Sequence, residues 1–289
     1  MKNRLEYIVF ISFSLFFRIL GLYLSRRFAL VIALVFYYLI PIRKKITLDN
    51  LSKAFPQLNK KQINEIGFRC YRSFAITLAE ILYIPSLDKA GMKKNIKCEN
   101  LELITEKFDE GNGLIMLSAH FGNWEYIANS IALQINKKLC VVVKPLRNNL
   151  VSDWMNKMRT RWINEIVPLG VSIRQVYTVL KQKNMVAMVA DQRGPEESIK
   201  LDFFGRKTSV LVGPAVLALK TGAPLLYGIP IRQKDYSYKV KMVEISKENL
   251  PEIYEEKVRV LCERHLKYLE SVINKYPEQW LWMHNRWKH

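Results

Sequence analysis

GLIMLSAHFGNWEYIANSIALQ, residues 113–134, changes its periodicity midway. Gly113–Ala119 is a short apolar run with no helical spacing, as in a strand covered on both faces. Asn123–Gln134 then places apolar residues at helical intervals, and Asn123 is a good helix N-cap. Between them His120 and Gly122 make a polar turn. Strand, turn and helix within 22 residues are half of a βαβ unit, and the pattern repeats downstream. Leu139–Val143, Met185–Val189 and Leu225–Ile231 read as buried strands. Val151–Ile163, Ile173–Lys181 and Gly213–Thr221 read as the helices between them. Tyr238–Glu244 alternates cleanly and reads as an antiparallel edge strand. The alternation predicts an α/β fold, a mixed central sheet flanked by helices. Upstream, Ile63, Ile66, Cys70, Phe74 and Leu78 mark an amphipathic helix over 59–83, and Glu252–Ile273 reads as another.

The first 42 residues differ in kind. Tyr7–Leu24 contains one charge, Arg18, and approaches the roughly 20 apolar residues that cross a bilayer. Arg18 lies late in the run, where a long side chain reaches the interface. The run is too long for a signal-peptide core, and no small-residue cleavage site follows it. A retained membrane-anchor helix is expected. A second run, Phe28–Ile42, is short for a span and ends at Pro41, before Arg43, Lys44 and Lys45; it reads as an interfacial or core-packed helix. The expected organisation is an anchor and interfacial helix over 1–42 and one domain over 43–289. Basic residues behind the anchor outnumber Lys2 and Arg4 before it, which predicts that the body lies in the cytoplasm.

The 289 residues carry 45 Lys+Arg against 26 Asp+Glu, a net +19. Such a balance calls for an acidic partner: nucleic acid, an anionic membrane surface, a phosphorylated substrate or an acidic carrier protein. No zinc-finger, helix-turn-helix or RNP-like pattern supports nucleic acid. Cys70, Cys98, Cys140 and Cys262 are scattered without a CxxC pair, which argues against a disulfide scaffold or zinc cluster. The 4 histidines form no HExxH or HxxxH pair, so no metal is expected.

The chemistry centres on SAHFGNWE, residues 118–125. On one continuous helix, positions five apart point ~140° away from each other. The turn permitted by Gly122 lets His120 and Glu125 meet. A strand-end histidine oriented by a carboxylate is a general-base arrangement. With no GxSxG and no nucleophile motif beside it, the base would act on a substrate hydroxyl directly. Lys144 and Arg147, in VVVKPLRNN, follow a strand, and strand carboxyl ends are where open α/β sheets bind ligands; both are candidate phosphate ligands.

His120-Phe-Gly-Asn-Trp-Glu125 resembles the HX4(D/E) motif of glycerolipid-type acyltransferases. RKKITLDNLSKAFP (43–56), DQRGP (191–195), FFGRKT (203–208), Gly213–Pro214 and PEQWLWMHNRWK (277–288) follow in the order of one family. Nearly the whole chain resembles the lipid A biosynthesis lauroyl/myristoyl acyltransferases. The resemblance implies a glycerolipid acyltransferase-like fold behind a membrane anchor. It implies transfer of a fatty acyl chain from an acyl carrier protein or coenzyme A thioester to a lipid A precursor hydroxyl. Neither a cofactor nor an acyl-enzyme is implied. His120 and Glu125 become the catalytic pair, with backbone N–H groups near Gly122 or Asn123 as oxyanion donors. Arg174 resembles a basic position near the family's active site. Asp191, Gln192 and Arg193 form a site-facing block, in which Asp191 is expected to orient the loop or Arg193, and Arg193 to bind phosphate. Phe204 would line an acyl groove. The net charge fits an acidic carrier and a phosphorylated acceptor. The same chemistry on a lysophospholipid, aminolipid or glycolipid is the alternative reading; a non-catalytic basic membrane-tethered binding protein is a remote one.

Overall fold

The computed structural model describes residues 1–168 and 173–288. The N-terminal element α1 (Lys2–Leu34) continues as a π-helical turn over Val35–Leu39, followed by α2 (Lys44–Ala54) and α3 (Lys60–Tyr83). Asn59 and Gln62 close a reciprocal capping box at the start of α3, satisfying two backbone donors that would otherwise be orphaned. Next come α4 (Lys89–Asn95), β1 (Ile96–Cys98), α5 (Glu102–Asp109), β2 (Leu114–Ser118) and α6 (Trp124–Ile135). The βα alternation continues through β3 (Leu139–Val143), α7 (Asn149–Arg159), β4 (Glu165–Pro168), α8 (Ile173–Lys181) and β5 (Met185–Val189). A hairpin of β6 (Lys200–Phe203) and β7 (Arg206–Ser209) precedes α9 (Gly213–Thr221). The chain ends with β8 (Leu225–Gly228), β9 (Ile231–Arg232), β10 (Tyr238–Val240), β11 (Met242–Glu244) and the long helix α10 (Tyr254–Lys275).

The main sheet has the order β11-β8-β2-β5-β3-β4. Its strands run parallel except β11, which lies antiparallel on β8 at the edge. Every residue of β2 is buried, as the unbroken apolar run requires of a central strand with helices on both faces. One apolar cluster joins α2, α8, α9 and α10 to one side of the sheet, and a second joins α4, α5 and α6 to the other. A smaller sheet, β1-β10-β9, stands beside it.

The expected run Leu225–Ile231 divides after Gly228, because Pro230 has no N–H for a ladder. Tyr238–Glu244 divides likewise, β10 joining the small sheet and β11 the edge of the large one.

The apolar N-terminus is not one straight helix. Gly21 adopts φ 76°, ψ 161°, a region open essentially to glycine alone. The bend brings Phe28 back to 5.0 Å from the Phe16 ring, although 12 residues of straight helix would separate them by ~18 Å. The Ser25 hydroxyl donates to Phe17 O and Gly21 O, which holds the turn. Phe17, Ala29, Ala33 and Tyr37 are buried against Tyr71, Ala75, Ile76 and Ala79 of α3. Small residues at 29 and 33, one helical turn apart, allow this close approach. The second arm therefore packs one face, Ala29, Ala33 and Tyr37, on α3, while Leu39, Ile40 and Ile42 at its end are exposed.

Candidate active site

β2 and β5 are adjacent parallel strands in the register Ser118↔Val189. Two residues beyond each strand stand His120 and Asp191, and the register therefore sets them face to face. His120 Nδ1 lies 2.8 Å from Asp191 Oδ1, and the His120 backbone N–H donates to Asp191 Oδ2 at 3.0 Å. The Trp280 indole N–H donates to the same Oδ2 at 2.7 Å. An ionised carboxylate in this position fixes Nδ1 as a donor and leaves Nε2 as the acceptor.

Burial opposes charge on the imidazole, but the Asp191 carboxylate, with a smaller contribution from Glu125, outweighs it and raises the His120 pKa above 6.5. Burial likewise opposes charge on Asp191. The adjacent imidazole and the hydrogen bonds from His120 and Trp280 outweigh it, so the carboxyl stays below its usual range.

The loop is secured from the other side by α3. Gly122 has φ 50°, and a Cβ there would lie 2.2 Å from Pro230 O, so no side chain fits. Its N–H donates to Gln279 O, and its carbonyl accepts from the Thr77 hydroxyl at 2.6 Å. Asn123 is fully buried; its Oδ1 caps α6 at Tyr126 N and its Nδ2 donates to Glu80 Oε2. Glu80 also accepts from Arg26 and the Tyr238 hydroxyl, and Arg232 reaches Tyr238, Ser73 and Thr77. Beside His120, a narrow cleft with about 270 Å³ of free space, including solvent at its mouth, runs between α3 and the C-terminal segment. Its walls include Cys70, Phe74, Thr77, Trp124, Trp280 and Trp282.

The structure redistributes the expected roles. Glu125 does not bond His120. Its buried carboxylate is held bidentately by Arg159, at 2.9 and 2.6 Å, because position 125 lies in the first turn of α6 and faces α7. It contributes to the field at His120 while Asp191 makes the contact. Asp191 therefore orients the histidine rather than Arg193. The Gly122 N–H, one of the expected oxyanion donors, is taken by Gln279 O, and the Asn123 side chain, expected to bind substrate, is turned to Tyr126 N and Glu80 instead. Phe204 belongs to an aromatic cluster with Phe55, Phe203 and Trp282 rather than to the cleft wall.

Lys144 is exposed at the carboxyl end of β3. Arg147 follows, but pairs with Glu6 of α1 at 3.1 Å. Arg174 is exposed in the first turn of α8, the run before it (169–172) lying outside the described residues. Gln192 and Arg193 are half-buried beyond β5, and one buried guanidinium nitrogen of Arg193 has no hydrogen-bond partner among the described residues. Sequence reading missed Arg159, Glu80 and Arg232. Glu80 had a signal, being the single charge in AITLAEILYI, residues 75–84.

A parallel α/β sheet bearing a histidine at the end of its central strand, behind an apolar helical hairpin, defines a membrane-associated O-acyltransferase once its relatives are considered. The chain belongs to the bacterial lipid A biosynthesis acyltransferase family, whose sequence model matches residues 3–289. It is 23% identical over 248 residues to the lipid A biosynthesis palmitoleoyltransferase of Escherichia coli strain K12, covering 85% of this chain and 79% of that protein. It is 22% identical to the lipid A biosynthesis lauroyltransferase of the same strain, with the same coverage. It is also 24% identical over 157 residues to the phosphatidylinositol mannoside acyltransferase of Mycolicibacterium smegmatis. That match spans 53% of this chain and about half, 51%, of the relative.

Proposed function

We propose that the protein transfers a fatty acyl chain from a thioester to a hydroxyl of a lipid A precursor. The donor is acyl carrier protein or coenzyme A, and the site is the cytoplasmic face of the inner membrane. The observation that carries this reading is the His120–Asp191 pair, with Nε2 left as the acceptor beside a cleft, in a chain of this family. Nε2 takes the acceptor hydroxyl proton, and the oxygen attacks the thioester carbonyl. The tetrahedral intermediate expels the thiolate, which receives the proton from the imidazolium. Asp191 holds the ring in the correct tautomer and stabilises the imidazolium. Arg159, fixed by Glu125, works weakly against that positive charge, and Lys144, Arg174, Gln192 and Arg193 stand near the strand ends as candidate contacts for anionic substrate groups. Neither a metal nor a cofactor enters this scheme.

A second reading changes only the acceptor. The mycobacterial relative is named for a phosphatidylinositol mannoside, which makes a glycosylated phospholipid the specific competitor. Mass spectrometry of whole lipids, from cells lacking the gene and restored with wild type or His120→Ala, separates the readings. Loss of one acyl mass from lipid A, regained only with wild type, supports the lipid A precursor. Unchanged lipid A with an acyl loss in another glycolipid supports the second acceptor. Full restoration by His120→Ala overturns the general-base assignment.

A further inference from the structure

We infer that the apolar N-terminus does not cross the membrane but lies in one leaflet as a bent hairpin, clamped to the catalytic domain along its length. This rests on the membrane-associated reading above and replaces the single span suggested by composition alone.

Length and hydropathy leave the question open. The apolar element Lys2–Leu39 has 38 residues, which as one straight helix would reach ~57 Å, about twice the ~30 Å hydrocarbon core. The bend at Gly21 divides it, and the first arm alone could still span. Its contacts decide the matter. Asn3 O and Glu6 accept from Asn148, and Glu6 pairs with Arg147, in the loop between β3 and α7. One turn on, Phe10 packs edge-on against Trp154 of α7 at 5.0 Å. Ser14 donates to Leu82 O, Phe17 is buried on α3, and Arg18 donates to Ser86. Positions 3, 6, 10, 14 and 17 form one helical stripe, and every turn of it grips the same domain. A spanning helix would carry Glu6 to the far interface, away from Arg147, and would leave lipid where α7 and the end of α3 now pack. The second arm is tied equally, through Arg26 to Glu80 and through the Tyr37 hydroxyl to Asn64.

The opposite face fits a lipid surface. Leu5, Ile8, Phe13 and Ile19 of the first arm and Val31 and Leu34 of the second are exposed, and exposed apolar residues concentrated on one element mark a membrane or protein contact. Exposed basic residues border it at the start (Lys2, Arg4), the bend (Arg18, Arg27) and the exit (Arg43, Lys45). An apolar face rimmed by Lys and Arg is the pattern of an in-plane helix in an anionic leaflet. The first arm begins against the loop at the carboxyl end of β3, the sheet end that also carries His120. The leaflet and the cleft therefore lie side by side, so that a lipid hydroxyl reaches Nε2 without leaving the interface.

The test compares the two chain ends. The full chain is made with a short hydrophilic, protease-cleavable tag before Met1, and separately with the same tag after His289. Each is expressed in bacteria with an inner membrane, and protease is added to intact spheroplasts or to inverted inner-membrane vesicles. Both tags are expected to be cut in the same preparation, the inverted vesicles, and protected in the other. Cleavage of the two tags in opposite preparations would overturn the in-plane hairpin while leaving membrane association intact. Recovery of the protein in the soluble fraction would overturn both.

Discussion

The loop 119–123 is held by two buried charged assemblies of different character. On the sheet side, Asp191 engages the His120 ring through Nδ1, and Nε2 has no partner among the described residues and lies next to a cleft. On the α3 side, Glu80, Arg26, Arg232 and Tyr238 exhaust one another: the Glu80 carboxylate accepts from Arg26, Asn123 and Tyr238, and Arg232 bonds Tyr238, Ser73 and Thr77. Buried charge alone therefore does not mark chemistry. The mark is a valence left over where substrate can reach it.

The two assemblies should respond to mutation in opposite ways. His120→Ala should lower turnover by roughly 10²–10⁴-fold, the usual contribution of a positioned base, with a smaller loss of stability than Glu80→Ala, because Asp191 keeps its hydrogen bonds from Trp280 and the backbone N–H of residue 120. A variant that keeps wild-type turnover would remove His120 from the mechanism. Glu80→Ala should do the reverse. It leaves the Arg26 and Arg232 guanidiniums beside a buried space without their carboxylate, at a cost of about 3–5 kcal/mol, read as a lower denaturation midpoint. Unchanged stability would show that the network is not what fixes the loop. Arg147→Ala is the mild case. Its pair with Glu6 is largely exposed on the Arg147 side, so a stability loss within about 1 kcal/mol is expected by thermal denaturation. A large loss of substrate affinity in this variant would restore Arg147 as a phosphate ligand.

Much of this was legible in the sequence, and the gaps have a common cause. β3, β5, α8 and α9 fall where the local pattern places them, because their apolar periodicity is set by burial in one sheet. His120 stands out in the sequence for the same reason, as the polar end of a buried strand. Its partner was misassigned because Glu125 is local and Asp191 is 71 positions away. Only the pairing of β2 with β5 makes Asp191 adjacent, and that register is a tertiary fact. The bend at Gly21 was also invisible, since a lone glycine in an apolar run signals nothing until its φ is known. Arg159 and Arg232 look like ordinary surface charges on a helix and an edge strand.

The pH behaviour separates the contributions of His120 and Asp191. A histidine with a raised pKa contributes the stability of its charged pair below pH 6.5 and loses it as pH rises through the raised value. Catalysis needs the neutral ring and runs the other way, so kcat/KM should fall on the acid side with a midpoint above 6.5. Asp191, with its lowered value, contributes stability above about pH 3.8 that is lost as pH falls through its folded pKa.

The most direct measurement is the acid limb of kcat/KM against pH for wild type, Asp191→Asn and Glu125→Gln, each checked for an unchanged fold. Asp191 positioning His120 predicts that Asp191→Asn moves the midpoint furthest towards acid and lowers turnover at pH 7, while Glu125→Gln moves it by a smaller amount. A larger shift from Glu125→Gln, with the Asp191→Asn midpoint at the wild-type value, would contradict the account and return the role to Glu125.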